Sequence, residues 1–174
     1  MRMLPKHDRG APWDAARPWG LTSKLGEAGA FEDLASELWR EGEPLRGAAP
    51  TATWLRFYFE GVMAPLEFPF IQRAAELARG GQAKELVALD RELSGQWPAD
   101  ATREASRRAG LNQLRRLRPL TDLRVLSKYR EAVQSGKAHG WHVVVYGLGL
   151  AIYSIPTRQG LAHYAEKTLE AMTR

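Results

Sequence analysis

The apolar residues of this chain recur at steps of three and four, which is the spacing of one face of an α-helix. Prolines and glycines separate the periodic segments, and no segment shows the strict alternation of a half-buried strand. The clearest segments carry Leu86, Val87, Leu89 and Leu93, and then Leu161, Tyr164, Ala165, Leu169 and Met172. The sequence therefore predicts a single all-α domain of about seven or eight helices.

The stretch from Trp141 to Ile155, "WHVVVYGLGLAIYSI", is the exception to this pattern. Its β-branched residues favour a strand, but no other segment alternates in a way that would let a strand pair. We therefore predict a buried helix over Val143 to Tyr153. The stretch is shorter than the roughly 20 residues that span a bilayer, so no contact with a membrane is expected.

Prolines and glycines also set the expected helix limits. A first helix is predicted to begin near Phe31 and to end near Gly42. A second is expected to stop at Pro65, and a third to restart after Pro69 and close at Gly80–Gly81. Residues 1–24 show no period and are predicted to form an irregular, poorly ordered tail, which leaves residues 25–174 for the helical domain.

Composition limits the possible chemistry. The chain has no cysteine, so disulfides, thiolate metal sites and a cysteine nucleophile are excluded. Residues 1–30 lack the apolar core of a secretory signal, and a cytoplasmic location is expected. The net charge of +5 is unevenly placed, because residues 27–43 are acidic and residues 103–130 are basic. This asymmetry suits docking between protein chains as well as it suits nucleic acid.

No catalytic motif is complete. Gly147 and Gly149 lack the third glycine of a dinucleotide fingerprint, so helix packing explains them better. His139 and His142 stand three apart and would share a helical face, but too few other ligands accompany them for a metal site. The paired carboxylates, Glu41 with Glu43 and Glu166 with Glu170, are expected on solvated faces, with none set among apolar residues that would raise its pKa into a catalytic range. We expect a protein that is not an enzyme and uses no cofactor.

The segment from Ala101 to Leu117 is rich in arginine, with small residues between the charges. Gly110 in the middle of a helix costs roughly 1 kcal/mol relative to alanine, so close approach of another helix is its expected reason. The arginines on the other faces favour a solvated or protein-docking surface over sequence-specific nucleic-acid binding, since neither a helix-turn-helix nor an aromatic platform is visible. These arginines are Arg103, Arg107, Arg108, Arg115, Arg116 and Arg118.

Three stretches in order resemble the urease accessory protein UreF family. "TWLRFYFEGVMAPLEFPFIQRA" resembles its helix–loop–helix, with Pro69 as the linker proline. "TREASRRAGLNQLRRL" resembles its arginine–serine–glycine helix, and "HVVVYGLGLAIYSIP" its histidine–valine–glycine segment. Val145 is the valine of the last of these matches. The positions that match the family motifs, or lie within them, and are candidates for partner binding are Pro69, Arg103, Ser106, Gly110, His142, Tyr146 and Gly147.

The resemblance implies a non-catalytic all-α scaffold of nickel-urease maturation. Such proteins form homodimers, bind the accessory protein UreD (also called UreH) and recruit the GTPase UreG while nickel passes to apo-urease. It also implies a helix-junction role for Arg103, which we expect to be buried against backbone carbonyls or a carboxylate.

Two alternatives remain open. The first is an arginine-rich helical module that binds nucleic acid through its phosphates, and the second is a shortened paralogue without maturation activity. UreF chains usually carry an opening helix before this region and further helices after it, and neither is evident here. The apolar stripe that contains Leu161 and Leu169 would then be partly uncovered, which predicts self-association or a need for a partner.

Overall fold

The computed structural model describes residues 51–96, 100–117 and 123–172. The predicted tail over residues 1–24 and the predicted helix from Phe31 to Gly42 lie outside these ranges. The described elements are α1 (Thr51–Tyr58), a π-helical segment (Phe59–Glu67), α2 (Phe68–Arg79), α3 (Ala83–Ser94), α4 (Asp100–Arg116), α5 (Arg124–Gln134), α6 (His142–Ile152) and α7 (Thr157–Met172).

The predicted all-α architecture is confirmed. The first three elements follow one another without a break, so the described residues form six continuous helical stretches and contain no strand. This is slightly fewer than the seven or eight helices predicted for the chain. Within the described ranges, no helix has both the length and the apolar character that crossing a bilayer requires.

Pro65 does not end a helix, and that prediction is wrong. It lies inside the π-helical segment, which joins α1 to α2. A proline in an α-helix lacks one backbone donor and clashes with the carbonyl four residues earlier. The wider π-helical turn, in which bonds span five residues, offers a way to keep the chain helical past this position. Pro69 is the second residue of α2 and also lies within this continuous helical path, so the prediction that a helix restarts after Pro69 is wrong as well.

Helix α6 lies at the centre of the described structure. Every residue from His142 to Leu150 is buried, which confirms the prediction of a buried helix in place of a strand. Its most extensive contacts are with α2 and α4, and α3 packs against α2 and α5. A Cβ on Gly147 would lie 2.5 Å from the carbonyl oxygen of Ile71 and 2.6 Å from the Cβ of Ala74. Gly147 therefore allows α6 and α2 to pack backbone against backbone.

Helix α7 covers part of this core with a mixed face. Tyr164 and Thr168 are fully buried. Leu161 and Leu169, which belong to the predicted apolar stripe, are only half-buried although they contact the core. The guanidinium of Arg79 donates hydrogen bonds to the carbonyl of Ile155 and to the hydroxyl of Thr157, each at 2.8 Å. These bonds fix the end of α2 against the turn that enters α7.

Candidate functional site

Ser106 and Gly110 lie one turn apart on the buried face of α4, where they contact the start of α6. The backbone N–H of His142 donates to the hydroxyl of Ser106 at 3.2 Å. A Cβ on Gly110 would lie 2.0 Å from the carbonyl oxygen of Gly140 and 2.6 Å from the nitrogen of His142. The expectation that Gly110 permits close approach is confirmed, and the segment it meets is the backbone at the entry to α6.

Asp90 holds the same entry segment from the opposite side. Its carboxylate is fully buried and accepts the hydroxyl of Tyr129 at 2.6 Å. It also accepts the backbone N–H groups of His139 at 2.5 Å, Gly140 at 3.1 Å and Trp141 at 3.3 Å. The indole of Trp141 donates to the carbonyl of Asp90 at 2.9 Å. A buried polar group is stabilised when donors surround it in this way, so Asp90 organises the loop that leads into α6.

Tyr146 connects α6 to α7. Its hydroxyl donates to the carbonyl of Gly160 at 2.9 Å and lies 2.8 Å from Nδ1 of His163. The two rings stack with their planes 11° apart. Burial raises the pKa of Tyr146 well above its usual value, so the side chain stays protonated at neutral pH. Tyr146 therefore acts as an internal link between two helices.

Glu67, the last residue of the π-helical segment, is also fully buried. The hydroxyl of Tyr58 donates to its carboxylate at 2.8 Å. Burial raises the pKa of Glu67 to about 7, although the hydroxyls of Tyr58 and Tyr164 oppose this by stabilising the charged form. Glu67 and Asp90 are thus two buried carboxylates that the expectation for the paired carboxylates did not cover.

The two histidines considered for a metal site lie in different environments. His139 precedes α6, is exposed, stacks on Trp141 and lies 3.2 Å from the hydroxyl of Ser94. His142 is fully buried, and burial lowers its pKa to about 4. The expectation that they share a helical face is wrong, since α6 begins only at His142. Residues 51–96, 100–117 and 123–172 hold no cluster of three metal-ligating side chains.

Two of the predicted motif residues lie on the surface. Pro69 and Arg103 are both exposed. Arg103 is therefore not a buried arginine, whereas Ala105, Ser106 and Ala109 of the same helix are buried. Its expected bonds to backbone carbonyls or a carboxylate stay a prediction. The family-like positions therefore divide into an interior set that shapes the core and two surface positions. The interior set is Ser106, Gly110, His142, Val145, Tyr146 and Gly147.

The surface beside this interior carries a groove of about 640 Å³ between α4, α5 and the loop that follows α5. We call it the basic groove. Leucine and valine side chains form its floor, and arginines stand along it. Its described lining residues are Arg107, Leu111, Leu114, Arg115, Arg130, Val133, Gln134, Gly136, Ala138 and His139. A surface of this kind can bind carboxylates and apolar side chains together.

These features define a closely packed all-α domain whose interior polar groups hold its helices together. The family model UreF matches residues 45–174, and the chain belongs to this family of urease accessory proteins. No curated protein and no solved structure gives a significant match.

Sequence reasoning missed Asp90 and Glu67, although a signal for each was present. Asp90 falls on the same helical face as Leu86, Leu89 and Leu93, so a carboxylate occupies a position where the pattern requires an apolar residue. Glu67 follows Met63 by four residues and precedes Ile71 by four, which places it on the buried face if the helix is continuous. Expecting a break at Pro65 concealed that relation.

Proposed function

We propose that this protein is a non-catalytic scaffold of urease maturation, which binds UreD (UreH) and the GTPase UreG while nickel is delivered to apo-urease. The observation that carries the proposal is the family match over residues 45–174. The scaffold would act in the cytoplasm as a homodimer. Under this proposal nucleotide and nickel are handled by the partners, and this chain supplies surfaces that hold them together.

The interior of the domain supports a structural role for the family-like residues. Ser106, Gly110 and Gly147 each contact a neighbouring helix or the backbone at its entry, inside the domain. A carboxylate or histidine that served a reaction would need access to a substrate, whereas Glu67 and His142 are sealed within the core. Function is then left to the exposed surfaces, as expected for a protein that works through protein–protein contacts.

Co-expression with affinity-tagged UreD and UreG from one operon tests the proposal. We expect this chain to be retained with UreD alone and to bring UreG with it when all three are present. Retention should persist at moderate salt, because protein interfaces bury apolar as well as charged surface. A chain that is folded and soluble but is retained by neither protein would refute the scaffold function.

The nucleic-acid alternative is separated from the scaffold by its salt dependence. Binding to phosphates falls steeply with salt, with a slope that reflects the number of contacts, and appears with any duplex. We expect only weak retention on immobilised duplex DNA at physiological salt. Tight DNA binding together with no retention by UreD would favour the alternative.

A further inference from the structure

We infer that the basic groove is a docking site for an acidic helical segment of a partner protein, one that places an apolar side chain between its carboxylates. The inference rests on the proposed scaffold function only in taking the occupant to be a protein. It adds the place on this chain where that protein binds and the chemistry of the segment that binds there. The combination of an apolar floor with arginines on several sides carries the inference.

The floor of the basic groove is apolar and is shaped by a glycine. Leu111 of α4 and Val133 of α5 are half-buried there, and Leu114 is almost fully buried. A Cβ on Gly140 would lie 2.9 Å from Cδ2 of Leu111 and 3.5 Å from Cγ1 of Val133. The positive φ of 78° at Gly140 also favours a residue without a side chain. The backbone at Gly140 therefore lies directly against these two side chains.

The sides of the groove are positively charged. Arg107 and Arg115 come from α4 and Arg130 from α5, while none of the described lining residues is acidic. Arg107 lies 3.7 Å from Glu104, and both side chains are about half exposed, so the pair is weak and Arg107 can exchange it for the carboxylate of a bound segment. The guanidinium of Arg130 donates to the carbonyls of Leu114 at 3.0 Å and Leu117 at 2.7 Å. These carbonyls fix the position of the cation without removing its charge.

Charge complementarity selects the occupant. Guanidinium groups form strong, paired hydrogen bonds with carboxylates. Burial against an apolar floor stabilises a bound leucine-like side chain. A helical segment presents both on one face when acidic and apolar residues alternate at steps of three and four. A nucleic-acid backbone would use the arginines but would leave Leu111 and Val133 uncovered. The groove volume of about 640 Å³ is enough for side chains and too small for a folded domain.

A synthetic probe tests the inference with the full-length chain. The probe is a labelled helical peptide of about 14 residues, with leucines at steps of three and four and glutamates between them. One control peptide replaces every glutamate with glutamine, and another replaces every leucine with serine. We expect saturable binding of the probe by fluorescence anisotropy, and at least about tenfold weaker binding of each control peptide.

A pair of charge reversals locates the binding. Arg107→Glu with Arg115→Glu should weaken probe binding by about tenfold or more, because both residues line the groove. Arg124→Glu with Arg158→Glu changes the net charge by the same amount at exposed positions outside the groove, and should change binding by less than about twofold. Thermal unfolding of both double variants confirms that each remains folded.

The possible outcomes separate the docking inference from its alternatives. No saturable binding, or an equal loss in both double variants, would overturn the inference. So would binding that ignores the leucines and is displaced by duplex DNA, since that result indicates phosphate recognition. If the accessory proteins retain the chain, but neither their binding nor probe binding changes in the groove variants, the docking inference is wrong and the scaffold function is unaffected. If the probe binds in the groove but the chain is not retained by the accessory proteins, the scaffold function is wrong and the docking inference is supported.

Discussion

At the scale of single residues, two buried ionisable groups have opposite effects on stability as pH changes. The pKa of Glu67 is raised to about 7 by burial, and that of His142 is lowered to about 4 by burial. Between about pH 4.5 and 7, Glu67 is protonated in the folded state and ionised in the unfolded state, so its contribution to stability falls as pH rises. Between about pH 4 and 6.5, His142 is neutral in the folded state and protonated in the unfolded state, so its contribution rises.

These two contributions nearly cancel over the range that they share, and single substitutions separate them. Glu67→Gln keeps an acceptor for the hydroxyl of Tyr58 and removes the charge. The free energy of unfolding of this variant, relative to wild type, should increase by about 3 kcal/mol between pH 4.5 and 7. Denaturant unfolding at a series of pH values measures this difference.

His142→Gln tests the contribution of the histidine by the same measurement. Its stability relative to wild type should fall as pH rises from about 4 to 6.5, because the wild-type gain is lost. A difference that does not change with pH in either variant would show that the group concerned is not buried as described.

At the scale of elements, the entry to α6 is the junction on which the helices converge. Asp90 of α3 holds its backbone N–H groups, while Ser106 and Gly110 of α4 lie against it. The contacts are made mostly with backbone, so they depend on exact spacing and leave little room for added atoms. Substitutions at this junction are therefore expected to be costly compared with similar substitutions elsewhere.

Gly110→Ala should destabilise the domain by about 3 kcal/mol, even though alanine is the better helix former. The new Cβ would meet the carbonyl oxygen of Gly140 at 2.0 Å, and this neighbour is backbone that cannot rotate away. Gly95→Ala is the matched control, because its nearest atom lies 3.9 Å away. The control should change stability by less than about 1 kcal/mol. Equal thermal midpoints for the two variants would contradict the close approach of α4.

Asp90→Asn should cost about 2–3 kcal/mol, because an amide nitrogen would face backbone N–H groups that now donate to a carboxylate oxygen. Glu92→Gln on the same helix is the control. It weakens the bond to Arg73, which is a surface ion pair at 2.8 Å, and should cost less than about 1 kcal/mol. Chemical denaturation of both variants measures the contrast. A smaller loss for Asp90→Asn than for Glu92→Gln would show that the junction does not depend on this carboxylate.

Much of the helical arrangement could be predicted from the sequence. The helical period and the glycines predicted α3, the end of α2 at Gly80 and the burial of α6. The path of the chain through Pro65 was not predicted, because the local rule that proline ends a helix does not foresee a π-helical turn. The roles of Asp90 and Glu67 were missed for a related reason. Their partners lie on other helices, and sequence spacing alone does not show which faces meet.

At the scale of the whole molecule, incompletely covered surface and uneven charge favour association. Leu161, Ala165 and Leu169 of α7 contact the core but remain half-buried. Each large apolar side chain left in water forgoes roughly 1.5–3 kcal/mol of burial. We therefore predict that the purified chain self-associates at tens of micromolar, in keeping with the proposed homodimer.

Sedimentation velocity over a concentration series checks this prediction. Leu161→Gln with Leu169→Gln should shift the population toward monomer, whereas Phe57→Gln serves as a control for an exposed apolar residue on α1. A wild-type chain that stays monomeric throughout would contradict the prediction.

The central claim is that this chain acts as an accessory protein in urease maturation, and urease activity in cells tests it most directly. A host would express a urease operon from which its own UreF gene has been deleted, with nickel supplied in the medium. Adding this chain should raise urease activity well above the empty-vector level, and Gly110→Ala should lower that gain along with the amount of folded protein. Activity that stays at the empty-vector level, although the wild-type chain is soluble and abundant, would contradict the account.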